Sequence, residues 1–150
     1  MSSSEISPYL SFRDSARQAM EFYQSVFGGD LGISTFEEYQ VSEDPSEQDK
    51  VMHSRLVTDN GMVLMAADVP NRIDLTPGTN FSVSLSGEDE EQLHGYWDKL
   101  IVGGSADMPL EQAPWGDSFG MLTDRFGVSW MVNIAGPGGG EGPTSGAAPS

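Results

Sequence analysis

The chain has 150 residues, 23 acidic against 7 basic, for a formal net charge of −16, and no cysteine. That length suits one domain that buries its core without staples, and the missing cysteines exclude disulfides, thiolate zinc sites and thiol nucleophiles. The charge argues against nucleic acid and anionic membrane as partners, since both are bound by Lys and Arg, and no apolar run approaches the ~20 residues that cross a bilayer.

In chain order, MSSSEIS has no basic segment followed by an apolar core, so no secretory signal is expected and the cytoplasm is the expected location. Ile6, Leu10 and Phe12 alternate with Ser7, Tyr9 and Ser11, which predicts a strand. Asp14 or Ser15 is placed to cap a helix whose apolar stripe is Ala16, Ala19, Met20, Tyr23 and Phe27, with Gly28-Gly29 as its stop. A second strand is expected within residues 31–39, and the acidic stretch 40–50, with Pro45, as a solvated loop. Val51–Thr58 and Met62–Ala67 read as a hairpin around Asp59-Asn60-Gly61. Residues 68–79 read as a linker. Phe81, Val83 and Leu85 alternate with Ser82, Ser84 and Ser86 as another strand. A helix from about Asp89 carries Leu93, Tyr96, Trp97 and Leu100 and stops at Gly103-Gly104. Strands through Phe119–Thr123 and Ser129–Ile134 flank the turn Asp124–Gly127, and the Gly/Pro/Ser tail 136–150 is expected to be disordered.

The chain says nearly the same thing twice. FYQSVFGG, ending at Gly29, matches YWDKLIVGG, ending at Gly104; NGMVLMAA from Asn60 matches FGVSWMVN from Phe126. A period of about seventy residues fits two copies of a small α/β unit, each a strand, a helix and three strands. The predicted fold class is therefore α+β, with modules at about 6–69 and 80–135 in a single domain over residues 1–135, and their sheets curling around one cleft.

The strand faces turned away from the helices carry Ser7, Tyr9 and Ser11; His53 and Arg55; Ser82, Ser84 and Ser86; and Met131 and Asn133. Hydroxyls, an imidazole, a guanidinium and an amide suit hydrogen-bonded orientation of a small ligand. His53 and Arg55, two apart on one strand, share a face, and a buried Arg needs an acidic partner or an anionic ligand. Trp115, in the turn-rich stretch before Phe119, either plugs the mouth of a pocket or caps the core.

PYLSF at 8–12, AMEFYQSVFGG at 19–29, VMHSRL at 51–56 and PWGDSFGMLTDRFGVSW at 114–130 resemble the PhnB-like branch of the vicinal-oxygen-chelate superfamily, which includes glyoxalase I, extradiol dioxygenases, fosfomycin-resistance enzymes and bleomycin-binding proteins. The resemblance spans roughly residues 6–134. It implies paired βαβββ modules, an eight-stranded cleft and a homodimer. It also implies metal ligands on four strands, where this chain offers Ser7 or Tyr9, His53, Ser82 or its neighbours, and Met131 or Asn133. Borderline metals want three or four His or carboxylate ligands, so no metal site is expected, although a divalent metal stays open as a cofactor.

The expected function is small-molecule binding in the inter-sheet cleft, with His53 and Arg55 as any catalytic pair and Tyr9, Ser82, Ser84, Trp115, Phe119, Met131 and Asn133 as ligand contacts. The alternatives are a metal-dependent glyoxalase, lyase or dioxygenase-type enzyme, and capture of a cationic drug as in bleomycin-resistance proteins, which the acidic surface would favour and Arg55 oppose. The branch's association with phosphonate metabolism or quinone methylation has no support here, because no glycine-rich cofactor loop follows a strand.

Overall fold

A computed structural model describes residues 6–136 apart from 77 and 79. The expected tail therefore lies, beyond Gly136, outside the described residues. The chain divides into two compact units, residues 1–76 and 77–150. Each is one strand, one helix and three strands, as the repeat predicts.

In the first unit, β1 (Tyr9–Phe12), α1 (Ala16–Phe27), β2 (Asp30–Thr35), a one-turn α2 (Phe36–Tyr39), β3 (Val51–Val57) and β4 (Val63–Asp68) form a sheet ordered β1-β4-β3-β2. β1 and β4 run parallel; the other pairs are antiparallel. The α1 stripe packs as the spacing demands: Ala16, Ala19, Met20, Tyr23, Val26 and Phe27 are buried, with Leu56, Leu64 and Ala66 from the sheet also in the core. The second unit repeats this with β5 (Val83–Gly87), α3 (Glu90–Leu100), β6 (Ser105–Gln112), β7 (Ser118–Thr123) and β8 (Ser129–Ile134), ordered β5-β8-β7-β6. Leu93, Trp97 and Leu100 of α3 are buried, as are Leu85, Leu122, Trp130 and Val132.

The double glycines do more than end helices. Gly28 and Gly103 have φ of 72° and 80°, which glycine alone adopts freely. The glycine after each lies under the end of a strand: a Cβ on Gly29 would fall 2.0 Å from the Val57 carbonyl oxygen, and one on Gly104 2.1 Å from that of Thr123. The hairpins at these strand ends also correspond. Thr58 N–H donates to Met62 O (2.8 Å) and Asp124 N–H to Val128 O (2.9 Å), while Gly61 and Gly127 each donate back to the first residue of the turn.

The α1 cap differs from expectation. Ser15 makes no side-chain cap, and Asp14 has φ 65° with its carboxylate paired to Lys50. The Ala16 N–H instead donates to Asp68 Oδ1 at the far end of β4 (2.9 Å), and Asp68 Oδ2 accepts the Val51 N–H (2.9 Å). The other oxygen is thus used where β3 starts. Here the register of β2 against β3 slips, with Ser34 opposite His53 but Thr35 opposite Val51, leaving Met52 as the extra residue of a bulge.

Four expectations from the pattern need correction. Ile6 lies outside β1 and is fully exposed, and Phe81, expected on the packed face, precedes β5 and is 82% exposed. The second strand ends at Thr35, where a capping box of Thr35 and Glu38 starts α2. Residues 40–50 are not simply a solvated loop: Asp44 caps a 3₁₀ turn at Pro45–Glu47, and Glu47 and Lys50 are buried. β6 has no apolar alternation and contains Pro109, with register shifts on either side of Met108, so periodicity missed it.

Asp68→Ala would strand two buried N–H groups, each costing about 1–3 kcal/mol. A loss of roughly 2–4 kcal/mol in urea unfolding is expected, whereas Ser15→Ala should change little. Gly104→Ala, which overpacks against Thr123, should cost about 1–3 kcal/mol by the same measurement.

Candidate functional site

On the first sheet, Ser54 and Leu56 of β3 are fully buried on the helix side, so His53 and Arg55 project from the opposite face. The register sets Tyr9 against Met65, Met65 against Arg55 and Arg55 against Gly32, one row across all four strands. The next row holds Ser11 against Ala67 and His53 against Ser34. Tyr9 thus starts in the row of Arg55 and reaches diagonally past β4, bringing its phenol oxygen 3.3 Å from His53 Nδ1, with ring centroids 5.9 Å apart.

That hydrogen bond couples the imidazole's two nitrogens. With the phenol donating, His53 carries its proton on Nε2 and presents a donor; with Nδ1–H donating to the phenol oxygen, Nε2 is a free acceptor. Arg55 is exposed rather than buried, and its guanidinium forms no hydrogen bond or ion pair among the described residues. Gly32 beside it carries no side chain, and a Cβ there would meet nothing within 4 Å. The strand position beside Arg55 is therefore unfilled.

The second sheet brings several of the other candidates together. Its register places Ser84 against Met131 and Met131 against Met121, and in the next row Ser86 against Asn133 and Asn133 against Phe119. Ser82 precedes β5. Asn133 is buried, and its amide donates to Asp117 Oδ2 at 3.4 Å, so it holds the strand end. Asp117 Oδ1 also accepts the Gly136 N–H (2.8 Å), and Ala113 N–H donates to Asp117 O, so the turn displaying the half-exposed Trp115 is pinned at both ends. His94 lies on α3 with Nε2 3.8 Å from Glu90.

The strands that would supply metal ligands carry Tyr9, His53, Ser84 and Met131. No group of three or more His, Cys, Asp or Glu is placed to hold a metal ion among the described residues. This donor set does not fit a divalent cation.

A family model described as 3-demethylubiquinone-9 3-methyltransferase matches residues 4–133. The chain belongs to that family. Protein PA1353 from Pseudomonas aeruginosa is 38% identical, with 88% of this chain and 98% of that one covered and a TM-score of 0.75. A PhnB protein from Bacillus cereus, carrying the same methyltransferase description, is 31% identical over 88% of this chain and all of its own, with a TM-score of 0.68. The fold extends to FosX, a fosfomycin-resistance protein of Listeria monocytogenes solved with Mn(II) and sulfate: 12% identity, 93% and 98% coverage, TM-score 0.59. The glyoxalase/bleomycin-resistance fold class and the PhnB-like membership expected from the sequence therefore hold.

Sequence reasoning passed over the segment between β2 and β3. Its signals were present: Thr35 and Glu38 have capping-box spacing, and Asp44 before Pro45 marks a helical first turn. The segment places Glu47 so that Oε1 accepts the Ser42 hydroxyl (2.6 Å) and Oε2 the Asn71 N–H (2.5 Å). The Ser42 hydroxyl first, and then the Asn71 amide, hold the Glu47 carboxyl below its ordinary value of 4.5. A depressed carboxyl contributes stability that is fully present above its unfolded value and lost as pH falls through the folded one. Glu47→Gln should therefore be less stable than the natural chain at neutral pH, and the gap should close as the pH drops below 4.5, read by urea unfolding along a pH series.

Proposed function

We propose that the chain binds a small molecule bearing an anionic oxygen on the face of its first sheet, through Arg55, His53 and Tyr9, without a divalent metal. The observation that carries this reading is Arg55. In a chain with 23 acidic residues and 7 basic ones, its guanidinium has no acidic partner among the described residues and stands beside the vacant Gly32 position. A guanidinium offers five donors in a planar fork matched to carboxylate or phosphonate oxygens. The Tyr9–His53 pair one row away adds a second polar anchor whose donor or acceptor character adapts to the ligand.

Any chemistry at this site belongs to His53 and Arg55. With Nε2 unprotonated, His53 is a general base, and Arg55 is positioned to stabilise negative charge developing on a substrate oxygen. The family's description names methyl transfer, but the strand-to-helix turns here are Arg13-Asp14-Ser15 and Glu88-Asp89, neither of which is a glycine-rich cofactor loop. Capture of a cationic drug fits Arg55 poorly.

Protein-observed NMR titration with a panel of small carboxylates and phosphonates tests the reading. Hits should shift the resonances of His53 and Arg55, and Arg55→Ala should weaken them about tenfold or more while Tyr9→Phe weakens them less. Hits that survive Arg55→Ala unchanged would remove this face as the site.

A further inference from the structure

The first unit holds a cavity of about 440 Å³ built by the segment between β2 and β3, the bulge of β3 and the end of β4. That is room for a small metabolite. Its walls are of two kinds. Phe36, Val41, Met52 and Pro70 supply apolar surface, and Glu47, Asp68 and Arg72 supply charges of both signs. Phe36, Glu47 and Asp68 are buried, while Val41 and Arg72 are exposed and form the rim.

The charges line one cavity without meeting. Both oxygens of Asp68 accept backbone N–H groups, from Ala16 and Val51, and both oxygens of Glu47 are likewise bonded, to Ser42 and Asn71. These contacts fix the carboxylates in place and leave each oxygen a further lone pair. The hydrogen bonds from Ser42 and Asn71 also keep Glu47 ionised at neutral pH. Arg72 forms no ion pair with either carboxylate and no hydrogen bond among the described residues. Other cations near this end of the sheet are occupied: the exposed Arg13 donates to the carbonyls of Val69, Pro70 and Ile73, and the buried Lys50 pairs with Asp14.

We infer that this cavity binds a free α-amino acid with an apolar side chain. The ammonium faces Glu47 and Asp68, the carboxylate meets the Arg72 guanidinium, and the side chain lies against Phe36, Val41 and Met52. Complementarity selects this class. Two carboxylates and one guanidinium leave the lining at a net charge of −1, which repels a dicarboxylate and leaves a simple monocarboxylate facing two like charges. A molecule with both an ammonium and a carboxylate satisfies the two poles at once, and the apolar walls favour leucine or phenylalanine over glycine or serine. The site is separate from the Tyr9–His53–Arg55 face and needs none of those side chains.

Isothermal titration of the full chain with L-leucine and L-phenylalanine, alongside N-acetyl-L-leucine and L-leucinamide, tests this. The free amino acids should bind and the N-acetyl form should bind about tenfold or more weakly. Arg72→Gln should weaken L-leucine by about tenfold or more yet leave L-leucinamide unchanged. Because Arg72 is exposed and unpaired, this variant should keep the melting temperature of the natural chain. Arg55→Ala and His53→Ala should leave L-leucine binding intact. The inference is overturned if neither free amino acid gives heat at millimolar concentration, if N-acetyl-L-leucine binds equally well, or if Arg72→Gln has no effect. It is also overturned if L-leucine binding is lost in Arg55→Ala and kept in Arg72→Gln, an outcome that would instead strengthen the sheet-face reading.

Discussion

The first unit depends on one carboxylate. Asp68 sits at the end of β4, and its two oxygens hold the first N–H of α1 and the first N–H of β3, which lie 52 and 17 residues away in sequence. One side chain thereby closes three elements at one corner. A helix N-terminus normally finds its acceptor in the residue just before it. Here Asp14 is bonded elsewhere and Ser15 makes no cap, so the side-chain acceptor for the first N–H of α1 comes from β4. Asp68 also holds Val51 at the bulge, two residues before His53.

The second unit solves the same topology with different chemistry. The position of Asp68 at the end of β4 is taken by Ile134 at the end of β8, and the buried carboxylate moves to the hairpin. Asp124 accepts the N–H groups of Phe126 and Val128 on one oxygen and the indole N–H of Trp130 on the other. The corresponding turn of the first unit uses Thr58, whose hydroxyl oxygen accepts the Met62 N–H. What the units keep in common is steric rather than polar: the two double glycines and the close strand ends above them. A repeated fold tolerates exchange of its hydrogen-bonding corners but not a Cβ where two backbones touch.

This division explains what could be read from the sequence. Helical stripes, alternating strands and paired glycines are local and periodic, so both helices, most strands and the two-module plan were legible, as was the shared face of His53 and Arg55. The α1 cap was not, because its acceptor is distant in sequence. Ile6 and Phe81 continue the alternation of their strands but fall beyond the last paired residue, where no partner strand covers them. The contact between Tyr9 and His53 rests on register across β4, which no local pattern encodes. The cavity near Met52 depends on a bulge and on a segment whose composition reads as loop, and its signals were capping motifs rather than periodicity. The partner expected for Arg55 presumed burial; the strand instead leaves Arg55 exposed, and among the described residues no acid pairs with it.

The outer strand β6 has a consequence of its own. Among the described residues its only ladder partner is β7, so no strand pairs with its other edge. Pro109 has no N–H to offer a pairing strand, the register shifts around Met108 interrupt the ladder, and Asp107 and Glu111 add negative charge. Each device discourages a foreign strand from adding to the sheet. A segment that looks poorly formed as a strand is thereby well formed as a boundary. It lets the sheet stop at four strands at high protein concentration, where a flat, apolar edge would seed aggregation.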